Sequence, residues 1–199
     1  MLDRLPVSMR QMAFYGMAMV LAKAISFAMV PVFTHYLSPA DYGRLDVLQT
    51  LADLLSLLIG LGMADTLFRL AGSAENTEER NRAAANVFGI SLVSGAVFLM
   101  VTQAAAPLIA ASLPGDISVL DTRLILGSLA FSAIILVPLS WFRLKGKANW
   151  YFAGSAGRAL FQAGLVAVCF SWGFGLTGVL TAVLTACVSL ALSLSVAPW

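Results

Sequence analysis

Six polar side chains stand inside stretches that are otherwise apolar, and their types suit binding better than bond-breaking. Lys23 lies about nine residues into the apolar run Phe14 to Tyr36, roughly 14 Å deep at 1.5 Å per residue if that run is helical. A charge at the centre of a bilayer costs at least about 2.5–3.5 kcal/mol, so it needs a partner or a purpose. Asp53 falls about seven residues in from the start of the next run, roughly 10 Å by rise, on a helix running the other way. Lys23 and Asp53 therefore either pair, or Lys23 faces a cavity and offers its charge to an anionic ligand. Asp65 and Arg69 are four apart, acid before base, which reads as an ion pair or as a contact at the mouth of a pathway. Gln103 and Gln162 suit hydrogen bonds between helices or a path lined for sugars. Arg158 is placed to snorkel towards lipid phosphates, and His35, the single histidine, suits a polar interface.

Catalytic chemistry finds little support. The two cysteines, Cys169 and Cys187, form no CxxC pair and have no neighbouring histidine, so no metal and no redox cofactor is expected. His35 has no GxSG-type serine beside it. Asp53 and Asp65 on one helix would be some 18 Å apart by rise, too far to form a dyad. No enzyme activity, catalytic residue or cofactor is expected.

The elements that position these residues follow from composition. Sixty per cent of the chain is hydrophobic and 11% is charged, against about a quarter charged in an ordinary soluble domain. A net charge of +2 gives no electrostatic basis for binding nucleic acid. Six stretches are long and apolar enough to cross a ~30 Å hydrocarbon core: 14–36, 46–70, 86–111, 123–142, 152–172 and 176–197. Continuous runs without period-two alternation exclude a barrel. The expected fold is all-α, with six transmembrane helices over residues 1–199. Ser38-Pro39-Ala40-Asp41 has the pattern of a capping box, after which Gly43 permits a sharp turn. Gly72 to Arg82 is the hydrophilic loop, while Leu113 to Asp116, Arg143 to Lys147 and Trp172 to Gly175 make shorter connections. Small residues, among them Gly89, Ser94-Gly95 and Gly154 to Gly157, permit close helix approach, and Pro31, Pro107 and Pro138 fall in or near the spans.

Positive charges give the orientation. With the N-terminus inside, Arg4, Arg10, Arg69, Arg80, Arg82, Arg143, Lys145, Lys147 and Arg158 flank the inner ends, against Arg44 and Arg123 outside. Both termini are expected in the cytoplasm, and Phe14 to Tyr36 exceeds a signal-peptide core and should remain as the first span.

Tyr36-Leu37-Ser38-Pro39-Ala40-Asp41-Tyr42-Gly43-Arg44 resembles the turn after the first helix in the polysaccharide-transport flippases of the multidrug/oligosaccharidyl-lipid/polysaccharide exporter superfamily. Ile59-Gly60-Leu61-Gly62 up to Arg69, the basic connection Arg143 to Lys147, and Gly173-Phe174-Gly175-Leu176-Thr177-Gly178 resemble later landmarks in the same order. The resemblance implies one lobe of a two-lobe MATE-like transporter in a bacterial inner membrane. It also implies movement of a lipid-linked oligosaccharide, carried on undecaprenyl pyrophosphate, by alternating access. On that reading Lys23 faces the anionic head group. Members have twelve to fourteen helices and this sequence ends at Trp199, so a second six-helix lobe or a homodimer partner is expected. The alternatives are a drug/cation antiporter, disfavoured because helix 1 carries Lys23 and no carboxylate, and a structural subunit of a membrane complex.

Overall fold

The computed structural model describes residues 7–60, 63–73 and 76–196. Its seven helices are α1 (Val7–Tyr36), α2 (Pro39–Gly60), α3 (Met63–Gly72), α4 (Thr77–Ser112), α5 (Val119–Leu144), α6 (Ala148–Ser171) and α7 (Gly175–Val196). No strand occurs among the described residues. Five helices, α1 and α4 to α7, are long and apolar enough to cross a membrane. The chain is an all-α, multi-pass membrane protein.

The sequence places one long span at 46–70, where the structure describes α2, which starts earlier, and α3, with residues 61 and 62 between them outside the described residues. α2 begins seven residues earlier, at Pro39, because Ser38 caps it: the Asp41 amide donates to Ser38 Oγ at 3.1 Å, and Ser38 Oγ donates to Asp41 Oδ2 at 2.8 Å. Gly43 lies inside that helix and makes no turn. α2 is then too charged to qualify as a span by composition, with Asp41, Arg44, Asp46 and Asp53 in 22 residues. α2 is described as far as Gly60, and α3 from Met63. Leu61 and Gly62, part of the landmark at 59–69, lie outside the described residues. So do Arg4, Ala74, Glu75 and the last three residues, and Arg10 is described in backbone alone. Thr77 to Arg82, expected as loop, form the first turns of α4.

The helices form a bundle around α5. At its lower end, where α1 starts, α5 ends and α6 starts; Leu67, Ala71, Ala84, Val87, Val137 and Trp141 join α3, α4 and α5 there. At the upper end, Leu37 between α1 and α2 joins Leu45, Leu48, Leu126, Phe170 and Val179, which bring α2, α5, α6 and α7 into one cluster. Tyr15 meets Tyr151 near the start of α1 and α6, and Phe33 meets Phe170 near their ends. The two helices are therefore parallel and close to in register.

The connections are shaped by helix ends. α5 finishes in a Schellman turn, with the Lys147 amide bonded to Phe142 O at 2.9 Å and that of Gly146 to Arg143 O at 3.1 Å. Gly146 takes the left-handed conformation this needs, at φ +66°. α6 ends the same way through Gly173, with the Phe174 amide on Cys169 O. The resulting reversal presses α6 and α7 together: a Cβ on Gly178 would stand 2.6 Å from Phe174 Cβ and 3.0 Å from Cys169 Cβ. Gly95 approaches Ile134 and Gly154 approaches Leu139 in the way small residues permit, whereas Gly89 and Gly157 meet nothing within 4 Å.

Candidate functional site

A cavity of about 470 Å³ lies between α1, α2, α6 and α7. α1 contributes Lys23, Ser26, Phe27 and Phe33, and α2 contributes Tyr42, Asp46 and Gln49. Gln162 and Val166 come from α6, with Val179 and Val183 from α7. The space exists because α1 packs on α6 and makes little contact with α2, so the two polar helix faces stand apart. The register of α1 on α6 places Lys23 across from Ala159, which lines the same cavity. Lys23 forms the floor. The remaining lining rises from it towards Phe33 and Tyr42 at the upper end.

On α2 the polar lining has a simple origin. Tyr42, Asp46, Gln49 and Asp53 recur at helical spacing and occupy one face. Tyr42, Asp46 and Gln49 border the cavity, and Asp53 lies one turn further on, exposed and outside the lining. This periodicity is legible in the sequence, yet the extra turns of α2 before residue 46 were needed to bring it out. Asp46 and Gln49 are therefore candidate residues that the sequence reading missed.

Of the six residues singled out from the sequence, the structure brings Lys23 and Gln162 together. Asp53 makes no ion pair with Lys23; among the described residues the ion pairs are Arg44 with Asp41 and Arg82 with Glu78. Asp65 and Arg69 are not paired with each other either. They stand in the first and last turns of α3, where each complements the end of that helix's dipole. Gln103 is spent on packing, donating from Nε2 to Arg123 O at 2.9 Å across the α4–α5 contact.

Below the cavity aromatic rings join α1 and α6. Tyr15 and Tyr151 meet edge to face at 5.2 Å, and the Arg143 guanidinium lies 6.0 Å and 5.6 Å from their centroids. The Tyr15 hydroxyl makes a long contact, 3.4 Å, with Arg143 O. Arg158, half-buried, reaches inward: its Nη2 donates to Ser132 Oγ at 3.4 Å, and Ser132 meets the buried Cys187 Sγ at 3.4 Å. At the upper end His35 is exposed, with its ring against Tyr36 at 5.0 Å.

A second constellation, also missed, fastens the packed side. Ser118 caps α5 as Ser38 caps α2, bonding the Asp121 amide at 3.0 Å. Asp121, buried, then accepts from Thr177 Oγ1 on α7 at 2.8 Å. The signal was an S-x-x-D pattern ahead of an apolar run. Arg44 performs a similar task, donating from Nε to Gly115 O at 2.7 Å while paired with Asp41. These groups are tied to the scaffold and take no further ligand. Among the described residues no group of three His, Cys, Asp or Glu side chains gathers to hold a metal.

The arrangement can bind a ligand that carries both charge and hydroxyl groups. It offers one cation at the floor, hydrogen-bonding side chains above it and apolar walls around both. Comparison with known families finds a match over residues 8–199 to the family described as polysaccharide biosynthesis protein. No curated protein and no solved structure gives a significant match.

Proposed function

The chain belongs to the polysaccharide biosynthesis protein family, and from that premise we propose that it moves a lipid-linked oligosaccharide or polysaccharide precursor across a membrane. The observation that carries this reading is Lys23 at the floor of a cavity whose other polar lining is Ser26, Tyr42, Asp46, Gln49 and Gln162. A phosphate or pyrophosphate requires the cation, and sugar hydroxyls require donors and acceptors in series above it. The lipid tail has the apolar flank of α1, where Phe27 is 80% exposed.

Alternating access is the mode of movement in this reading. Rings join α1 to α6 above the cavity, where Phe33 and Tyr36 meet Phe170, and below it, where Tyr15 meets Tyr151 beside Arg143. Transport in this reading separates the lower rings and brings α1 and α2 together above. The other wall of the pathway is a second lobe or a second copy of this chain. The membrane is a bacterial inner membrane, with the Arg143 end and both termini in the cytoplasm. The reading assigns no catalytic role to any side chain and needs no cofactor.

A fluorescent lipid pyrophosphate carrying an oligosaccharide, reconstituted with the full-length transporter in proteoliposomes, tests the proposal. Probe reaching the opposite leaflet faster than in protein-free vesicles supports it. Equal rates remove it. A second reading, a cation-coupled antiporter of small molecules, is favoured by Asp46, a carboxylate in the cavity that the first helix does not supply. Translocation that is indifferent to the lipid pyrophosphate but driven by a cation gradient would select that reading.

A further inference from the structure

The turn between α5 and α6 carries three cations in five residues, Arg143, Lys145 and Lys147. Two other cations at the lower end are spent inside the protein. Arg80 donates from Nε to Ala71 O at 3.1 Å, closing the end of α3, and Arg82 faces Glu78 at 3.6 Å. Among the described residues no carboxylate comes within ion-pair distance of Arg143, Lys145 or Lys147.

Aromatic faces hold two of these charges in place. Lys145 Nζ lies 4.5 Å from the centre of the buried Trp141 ring, and Arg143 lies against Tyr15 and Tyr151. A ring face orients a cation without neutralising it. The Schellman turn at Gly146 keeps both lysines on one short bend. Burial, and then the charge of Lys147, push the Lys145 ammonium below the usual lysine range. Lys147 stands at the N-cap of α6 and makes no side-chain cap, so the positive end of that helix's dipole adds to the same field.

The setting selects the kind of anion. Trp150 is 59% exposed and stacks on Phe142 at 6.1 Å, directly beside the lysines. An indole at a helix end belongs at the boundary between head groups and acyl chains. A free phosphate would cover the charges and leave that indole bare, whereas a phospholipid covers both. We propose that the α5–α6 turn is a binding site for an anionic glycerophospholipid, its phosphate held by Lys145 and Lys147 with Arg143, and its glycerol and upper acyl chain against Trp150. This site is on the outside of the bundle, apart from the cavity, and its two lysines and Trp150 take no part in the transport reading.

Each basic residue near an anionic surface contributes about fivefold in affinity. The test is native mass spectrometry of the full chain released from micelles containing equal phosphatidylglycerol and phosphatidylcholine. The unaltered protein should retain phosphatidylglycerol at least about tenfold over phosphatidylcholine. The double variant K145Q/K147Q should bring that ratio close to one, while K145R/K147R and R82Q should keep it. Equal retention of the two lipids by the unaltered protein, or an undiminished preference in K145Q/K147Q, overturns the site. Displacement of the lipid by millimolar inorganic phosphate would overturn the choice of lipid over free phosphate. Helical circular dichroism checks that each variant is folded, and K147Q alone, with a several-fold smaller preference expected, serves if the double variant is not.

Discussion

The two sides of this bundle use their polar residues in opposite ways. On the side built from α4, α5 and α7, polar groups are consumed by the scaffold: Asp121 takes Thr177, Ser118 caps α5, and Gln103 ties to Arg123 O. On the side built from α1, α2 and α6, Lys23, Asp46, Gln49 and Gln162 face a cavity. Burial follows the same division. In the most apolar window of α5, 61% of residues are buried inside the protein, against 6% in that of α1. Between helices in lipid there is no hydrophobic drive to hide α1, so its exposure is compatible with membrane insertion and leaves its polar face free. Fixed polar contacts belong to one side and the open cavity to the other.

Breaking the packed side should cost most in stability. Gly178→Ala places a methyl where Phe174 and Cys169 already stand, and overpacking of that kind costs about 1–3 kcal/mol. A clear fall in the midpoint of thermal unfolding in micelles is expected, and an unchanged midpoint would mean that α6 and α7 do not approach so closely. Asp121→Ala removes both the cap partner and the acceptor for Thr177, for about 1–2 kcal/mol. Thr177→Val should show part of that loss and add little when combined with it.

The open side should respond in transport instead. Lys23→Gln in the full-length transporter is expected to slow movement of the lipid pyrophosphate about tenfold, roughly 1.4 kcal/mol, with the unfolding midpoint unmoved. Undiminished transport by this variant would take Lys23 out of the pathway. The smallest effect belongs to Gln103→Leu, about 0.6 kcal/mol in stability, the usual size of an interhelical hydrogen bond in a membrane. Unfolding monitored by circular dichroism measures it, and a loss of transport out of proportion to stability would put Gln103 on the wrong side of the division.

Much of the scaffold was readable before the fold. Long apolar runs have few ways to satisfy their backbone in lipid, so α1 and α4 to α7 follow from length and composition. The Ser38–Asp41 box and the glycine-ended turns at Gly146 and Gly173 are local chemistry, and they formed where the residues placed them.

The sequence by itself determined that this is a helical membrane protein with basic residues gathered at one end, because apolar length and charge position act through the bilayer, segment by segment. Tertiary structure decided which polar residues meet. Lys23 shares a cavity with Gln162 and Asp46 and not with Asp53, because α1 lies parallel to α6 and apart from α2, while Gln103 went to packing because α4 lies against α5. A helix's spacing fixes which of its residues share a face, but the neighbour that face meets is set by contacts between segments far apart in the chain.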